Sequence, residues 1–410
     1  MLTKSSSELV RQQNSALVLS ALRRHGPMAH TGLADVSGLS SATISAITAD
    51  LERARIIEKT VQQAPAGRGR PRVFFSQRRD CGYLVVVRIS SDVVQYSLVD
   101  YSRTLLDRFE EPRNHNQPGT SAFVAEMIDC LDRIAGRSRL LPAQILSISI
   151  SSKGLVAPDR PQLLWSPVFG GEQIDFARLS ESFPNAKLSL DNETLLVAQA
   201  VGVQMEAEKG EAFRSVAALS LGHSIGLGIA RRGRQENLQV TAANFGHMLH
   251  DPAGGLCRCG SRGCIEAAAG FYGILRTAFE VPADTIPAKF VPIAEMDKIA
   301  LKARQGGRMA GYAFRQAGVA LGQGLSRVLS LHERMPIVIT GLGVRYFDLL
   351  SGGLNEGLGQ SLEVRVNGPP EISVLFDEQA LVFEGHLDKA LMQMDNDIVA
   401  AGTLPGAAVA

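Results

Sequence analysis

The sequence has 410 residues, of which 45% are hydrophobic and 20% charged, a composition typical of a soluble globular protein with two or three domains. Five cysteines are too few for a disulfide framework, and no apolar run is long enough to span a membrane. The N-terminus also lacks the apolar core of a signal peptide. These features exclude a disulfide-stabilised secreted domain and predict a cytoplasmic protein with reduced thiols.

The net charge of +1 conceals an asymmetry along the chain. Residues 1–75 carry ten Lys and Arg against five Asp and Glu, a net charge of +5, which leaves −4 for the remainder. A basic N-terminal segment ahead of an acidic body favours contact between that segment and a polyanion. Chance variation of surface charge is the alternative explanation.

The N-terminal segment contains the signals of three helices. The first helix ends at Gly26, and a short helix over about residues 31–36 follows. A turn at residues 37–39 then leads into a helix capped by Ser40. This order and spacing predict a helix-turn-helix, with a plain helical hairpin as the alternative.

The helix after the turn has two different faces. Its apolar residues are expected to form one buried stripe with those of the turn and of the preceding helix: Leu33, Leu39, Ile44, Ile47 and Leu51. Hydroxyl side chains are expected on or near the exposed face: Ser41, Thr43, Ser45 and Thr48. Short hydroxyl side chains suit the major groove, because they hydrogen-bond bases and phosphates without blocking approach. We therefore expect Ser41, Thr43 and Ser45 to contact DNA.

Two predicted strands, Ile56–Val61 and Arg72–Ser76, follow the helices. The loop between them contains Arg68 and Arg70 among glycine and proline, so it is cationic and flexible. Such a loop can enter a narrow minor groove, where the negative potential is highest. By itself the loop is equally typical of a solvated linker, but after a helix-turn-helix it predicts the wing of a winged helix.

The rest of the chain alternates strands with helices, which predicts an α/β body of two lobes separated by a cleft. Residues 363–366 are among the predicted strands. We assign residues 1–79 to the DNA-binding domain, 80–395 to the body and 396–410 to a flexible tail.

Three of the five cysteines lie within eight residues of one another. Together with a histidine they form the pattern H-x9-C-x-C-x4-C, which comprises His247, Cys257, Cys259 and Cys264. One imidazole and three thiolates are a typical tetrahedral zinc set, and four protein ligands leave no open position for a water. The pattern therefore predicts a structural zinc ion.

This segment carries a resemblance to a known family. Gly246-His247 followed by "CRCGSRGCIE" resembles the hallmark of the ROK family, which comprises bacterial repressors and sugar kinases. The resemblance extends from about Ser7 to about Lys389 and implies an actin-like, ribonuclease H-like fold of two lobes. It also implies the regulator branch, because the sugar kinases lack a winged helix-turn-helix.

The resemblance also weighs against phosphotransfer. Kinases of the family open the first lobe with Asp-x-Gly-Gly-Thr, whereas this chain has Arg88 and no glycines over residues 88–92. Glu193 stands at the position of the catalytic Asp, one methylene longer. Gly222, Gly226 and Gly228 remain in the second lobe, where they fit either a phosphate loop or a tight strand connection. No ATP is expected.

Family members bind a sugar in the cleft, which by position implies Asn192, Glu193, Asn244, His247 and Glu266 here. Asn244 departs from the family, which has glutamate at that position. The start of a helix is an alternative or additional role for the Asn192–Glu193 pair, with Asp191 or Asn192 as the cap and Glu193 favouring the helix dipole.

These observations predict a DNA-binding transcriptional regulator, of the repressor type, that controls genes of sugar metabolism and responds to a sugar or sugar derivative. It would bind a double-stranded DNA operator as a homodimer or homotetramer and lie in the cytoplasm, on the nucleoid when bound. An ATP-dependent sugar kinase and a constitutive DNA-binding protein with a vestigial cleft are the alternatives.

Overall fold

The computed structural model describes residues 2–62, 72–113, 119–233 and 238–401. Its N-terminal part, called the head below, consists of three helices and an antiparallel hairpin. Their bounds are α1 Leu2–His25, α2 His30–Ser37, α3 Ser41–Arg53, β1 Ile57–Gln62 and β2 Arg72–Gln77. None of the helices within these ranges is long and apolar enough to cross a membrane.

Local signals position the head as the sequence predicts. Ser40 caps α3, because its hydroxyl accepts a hydrogen bond of 3.2 Å from the backbone N–H of Thr43. Gly38 ends α2 with a φ of +69°, a left-handed conformation that favours glycine. Met28 exchanges backbone hydrogen bonds of 3.0 and 2.8 Å with Phe75, which adds a short third strand to the hairpin.

The expected exposure of Thr48 is wrong. Its side chain is 1% exposed and donates a hydrogen bond of 2.8 Å to the carbonyl of Ile44. Its hydroxyl also lies 2.9 Å from Nε2 of His30 on the neighbouring helix. Because both contacts satisfy the hydroxyl inside the head, Thr48 can lie on the buried side of α3.

The first lobe is built on a five-stranded sheet with the order β10-β6-β3-β4-β5. Strands β3 to β5 form an antiparallel meander, and β6 and β10 add in parallel. The bounds are β3 Tyr83–Ile89, β4 Val93–Asp100, β5 Leu105–Pro112, α4 Thr120–Arg137, β6 Ile145–Ser152, β7 Leu155–Val156, β8 Gln162–Trp165, β9 Ile174–Asp175, α5 Leu179–Ser182 and β10 Lys187–Asn192.

The second lobe repeats this topology with the order β13-β12-β11-β14-β15. Again an antiparallel meander is extended by two parallel strands. The bounds are α6 Glu193–Lys209, β11 Ser215–Ser220, β12 Gly226–Arg232, β13 Leu238–Ala243, α7 Ile265–Ala269, α8 Phe271–Ala278, α9 Ile293–Arg304, α10 Arg308–Leu331, β14 Ile337–Thr340, α11 Phe347–Gly359, α12 Leu362–Asn367, β15 Ile372–Val374 and α13 Glu378–Ala401. The two repeated sheets form the two-lobed α/β body that the sequence predicts.

Two predictions about the C-terminal part differ from the structure. Residues 363–366 belong to helix α12 rather than to a strand. Helix α13 continues to Ala401, so residues 396–401 are helical where a flexible tail over 396–410 was expected, and residues 402–410 lie outside the described residues. Ile398 is only 1% exposed, and its burial explains why the helix is held there.

Helix α13 is shared between the head and both lobes. It packs against α1, against α6 and against strands β3 and β6. Its apolar residues Leu387, Leu391 and Met394 belong to one hydrophobic core with the buried side of the head and the adjacent face of the first-lobe sheet. The head is therefore joined to the first lobe by a continuous core rather than by a linker alone.

Candidate effector and metal site

A cavity of about 260 Å³ lies between the two lobes. The first lobe contributes the turn after β6, strand β8 and the junction of β10 with α6, and the second lobe contributes the β11–β12 connection and the cysteine segment. All five residues expected to contact a sugar line this cavity: Asn192, Glu193, Asn244, His247 and Glu266. The fold thus brings together residues that are up to 74 positions apart in the sequence.

Asn192 serves as the N-cap of α6. Its side-chain oxygen accepts a hydrogen bond of 2.8 Å from the N–H of Thr194, and its amide group donates to the carbonyl of Gly154. The cap explanation is therefore correct for Asn192. The second bond fixes the turn after β6 to the start of α6, so Asn192 shapes the cavity wall.

Glu193 is held by an arginine. Its Oε1 accepts a hydrogen bond of 2.8 Å from Nε of Arg88, and Nη2 lies 3.4 Å from Oε2. The two side chains are 4% and 13% exposed. Burial by itself would lower the pKa of Arg88. The carboxylate of Glu193 has the larger effect, so the pKa of Arg88 is raised above its usual value. The carboxylate that a kinase would use as a general base is here bound to a permanent cation.

Glu266 is buried on the second-lobe side of the cavity. Its Oε2 accepts a hydrogen bond of 3.2 Å from the N–H of Ile225, and Nη2 of Arg258 lies 3.2 Å from Oε1. That ion pair lacks the alignment of a hydrogen bond, so within the described residues Oε1 has no hydrogen-bond donor. Glu266 lines the cavity, and no hydrogen bond within the described residues uses its Oε1 as an acceptor.

Asn244 lies on the cavity wall just before the turn that carries His247. Among the described residues its carboxamide makes no side-chain hydrogen bond. Its backbone carbonyl accepts a 3.0 Å bond from the N–H of His247, which holds the turn. The structure therefore leaves this amide able to donate to and accept from a ligand.

The four predicted metal ligands converge. One ligand atom from each of His247, Cys257, Cys259 and Cys264 lies within 4.8 Å of the others. Nδ1 of His247 is 3.6 Å from Sγ of Cys257, and Sγ of Cys259 is 3.7 Å from Sγ of Cys264. A tetrahedral zinc ion with bonds of about 2.3 Å to sulfur places two sulfurs about 3.8 Å apart, so the cluster fits zinc.

The chemistry of the thiols supports a cation at this position. Burial and the neighbouring thiolates of Cys257 and Cys259 raise the pKa of Cys264. Three thiolates this close repel one another, and a divalent cation removes that repulsion. Tyr272 donates a hydrogen bond of 3.4 Å to Sγ of Cys257, an outer contact typical of metal sites.

The metal cluster and the cavity share a wall. His247 and Cys259 belong to the cluster and also line the cavity, and Glu266 follows Cys264 by two residues. The edge of His247 meets the ring of Trp165 from the first lobe, with the ring centroids 5.3 Å apart. A zinc ion here would fix the fold of the second-lobe wall.

Close packing accounts for two of the second-lobe glycines. A Cβ at Gly226 would lie 2.2 Å from Oγ1 of Thr194, and a Cβ at Gly228 would lie 2.5 Å from Cβ of Ala198. Both contacts are with α6, so these glycines allow β12 to approach that helix. Gly222 is different, because a Cβ there would meet its nearest neighbour at 3.9 Å.

The predicted DNA-contacting residues differ in their availability. Ser41 and Ser45 are exposed on α3. The hydroxyl of Thr43 lies 2.8 Å from that of Ser40, so the N-cap already uses it. Arg68 and Arg70 lie outside the described residues.

Several cavity residues were missed by sequence analysis, namely Lys153, Trp165, Ser224 and Glu378. Glu378 could not have been found, because it comes from the first turn of α13, far along the chain. Arg258 was also missed, although it lies inside the cysteine motif, because its role depends on a contact with Glu266.

Comparison with known proteins agrees with this architecture. The N-acetylglucosamine repressor of Escherichia coli O6:H1 is 25% identical over 344 residues, which cover 82% of this chain and 81% of the relative. The xylose repressor of Bacillus spizizenii is 22% identical over 330 residues, with 80% and 82% covered. A solved ROK-family transcriptional regulator, a homologue of the Escherichia coli MLC protein, has a TM-score of 0.72 at 21% identity and covers 97% of this chain and 100% of its own.

The profile of the ROK family matches residues 85–390, which is most of the two-lobed body. The matched range includes the Arg88–Glu193 pair, the cavity and the cysteine cluster. This chain belongs to the ROK family.

Proposed function

We propose that this protein is a transcriptional repressor of sugar-metabolism genes that binds DNA through residues 1–79 and a sugar or sugar derivative between the lobes of residues 80–395. Relatives similar over about four-fifths of the chain are repressors named for N-acetylglucosamine and for xylose. Since those names differ, the sugar is not carried over. The observation that carries the proposal is a physical connection between the cavity and the head, made by α13.

The first half of α13 contacts the cavity region. Glu378, in its first turn, lines the cavity. About two turns later, Gly385 packs so closely on α6 that a Cβ would lie 2.2 Å from the carbonyl of Leu196. Lys389 pairs with Asp191, the residue before the cap of α6. A displacement at the junction of β10 and α6 would therefore be transmitted directly to α13.

The second half of α13 contacts the head. Arg23 of α1 donates hydrogen bonds of 2.5 and 2.6 Å to Asp395, and the hydroxyl of Tyr101 in the first lobe donates one of 2.5 Å to the same carboxylate. Arg23 and Asp395 are 7% and 2% exposed. This cluster ties the head, α13 and the first-lobe sheet together at one point.

Ligand binding would bias the protein between two arrangements of the lobes. Contacts with Asn244 and Glu266 on one wall and with Glu193 on the other would favour a closed cavity. In a homodimer or homotetramer, closure would change the spacing and angle of two heads, which must match two half-sites on DNA.

The exposed side chains of the head are compatible with a helix in the major groove and a loop in the minor groove. Helix α3 exposes only small side chains near its start, including Ser41 and Ser45, so its backbone can approach a major groove closely. Thr43 supports this face through the cap. Arg68 and Arg70 would add contacts with phosphates and the minor groove.

Zinc is proposed as a structural cofactor held by His247, Cys257, Cys259 and Cys264, and phosphotransfer is not proposed. A bound zinc ion would supply only a fixed fold for the second-lobe wall. The Arg88–Glu193 pair supports a binding protein rather than a kinase, because it neutralises the base and places a guanidinium where the kinases of the family have an acidic residue.

The test uses fluorescence anisotropy with DNA fragments from upstream of the protein's own gene and its neighbouring operons. We expect nanomolar binding to one fragment at physiological salt, and release when one sugar from a panel is added. Binding that no sugar alters would instead support a constitutive DNA-binding protein. Absence of specific DNA binding, or sugar-dependent ATP consumption that requires Glu193, would refute the proposal.

A further inference from the structure

Lys153 lines the cavity and is held in place through its backbone. Its carbonyl accepts hydrogen bonds from the hydroxyls of Ser152 and Ser166. The next residue, Gly154, has a φ of +133°, and a Cβ there would lie 2.1 Å from the carbonyl of Trp165. The turn that carries Lys153 is therefore rigid, and the side chain starts from a fixed point on the first-lobe wall.

The ammonium group of Lys153 has no ion pair and no hydrogen bond within the described ranges of the chain, although the residue is half-buried. The two deeply buried carboxylates of the cavity are already neutralised, Glu193 by Arg88 and Glu266 by Arg258. Glu378 is the remaining carboxylate on the wall, and its charge acts on Arg88. Lys153 is thus left without a carboxylate of its own.

His223 lies close to two cations, Lys153 and Arg258, and to the carboxylate of Asp92. Burial, and after it the repulsion by Lys153 and Arg258, lower the pKa of His223 to about 4 despite a hydrogen bond to the carbonyl of Val291, so this side chain is neutral near pH 7. Ser224 beside it lines the cavity and offers a hydroxyl. Arg258 is paired with Glu266, so Lys153 is the cation of this region that keeps its charge for a ligand in the cavity.

We propose that the effector is an acidic sugar derivative whose phosphate or carboxylate group binds Lys153 on the first-lobe wall of the cavity. The neutral part of the sugar would contact Asn244 and Glu266. A half-buried ammonium gains most from an anion, because charge-assisted hydrogen bonds are roughly twice as strong as neutral ones. This inference rests on the proposed function, since it names the chemical class of ligand for the same cavity.

The experiment measures binding of D-glucose, D-glucuronate, D-glucose 6-phosphate and inorganic phosphate by calorimetry and thermal shift. The proteins are the full chain, Lys153→Met and Lys298→Met, an exposed lysine on α9 that serves as the charge control. We expect at least one acidic sugar to bind at least tenfold more tightly than glucose, with an affinity that falls as salt rises. Lys153→Met should remove that preference, and Lys298→Met should keep it.

The two acidic sugars distinguish a phosphate from a carboxylate ligand, and inorganic phosphate reports on the anion site alone. Glucose binding as tightly as both acidic sugars would overturn the inference and leave the proposed function intact. An acidic preference that survives in Lys153→Met would also overturn it. Failure of every sugar, together with DNA binding that none of them alters, would overturn both proposals.

Discussion

The buried ion pair between Arg23 and Asp395 is the point at which the link between head and lobes can be broken most cleanly. Both side chains are less than one-tenth exposed, and two hydrogen bonds join them. Removing one member of such a pair leaves the other charge buried without a counter-ion, which costs about 3–5 kcal/mol. We therefore expect Asp395→Ala to lower the free energy of unfolding by about that amount in urea denaturation followed by circular dichroism.

Asp397→Ala is the matched control, because Asp397 lies on the same helix but pairs at the surface with Lys187, the two side chains being 45% and 55% exposed. An exposed pair of this kind contributes about 0–1 kcal/mol. The double replacement Arg23→Met with Asp395→Leu removes both buried charges and should recover most of the loss. Equal losses of unfolding free energy in Asp395→Ala and Asp397→Ala would refute the reasoning. So would a double variant that is no more stable than Asp395→Ala.

Three further predictions concern the metal, the wing and acid stability. Elemental analysis should find one zinc ion per chain, and Cys259→Ser should lose it; a content near zero in the unaltered protein contradicts the site. Replacing Arg68 and Arg70 with Ala should weaken DNA binding and reduce its salt dependence, whereas unchanged binding removes the wing from the interface. Burial and two nearby cations lower the pKa of His386 to about 3, whereas the unfolded chain takes up the proton near pH 6.5. Stability should therefore fall as the pH drops below 6.5, by about 2 kcal/mol at pH 5, and His386→Asn should flatten this dependence in denaturation curves measured across that range.

Features specified by neighbouring residues could be predicted from the sequence. The cap at Ser40 involves residues three apart, and the turn at Gly38 needs only a residue that tolerates a positive φ. The cysteine cluster is similar, because three of its ligands lie within eight residues and the spacing itself is typical of zinc. Local chemistry was sufficient for each of these predictions.

Features that depend on distant contacts could not be predicted. Arg88 and Glu193 are 105 positions apart, and nothing beside either residue indicates its partner. Residues 363–366 alternate between polar and apolar side chains, a pattern that fits a strand. In the structure they belong to helix α12, where Val364 is buried and Val366 is 71% exposed. The role of α13 likewise comes from contacts with the cavity, the first lobe and the head, which lie in three different parts of the sequence.

The shared core also constrains how a ligand can act on DNA. The head, the first-lobe sheet and the part of α13 from His386 onward are expected to move as one unit, because they share one core. Asp395 joins them further, as do the 2.8 Å hydrogen bonds between His386 and the hydroxyls of Ser149 and Ser151. Closure of the cavity then moves the second lobe relative to that unit and leaves the surface of a single head unchanged. In a dimer joined through the second lobe, the same closure would reorient two heads relative to each other. The regulator proposed here therefore requires an oligomer, and a monomeric variant should bind sugar normally but show no sugar effect on its weak binding to a DNA half-site.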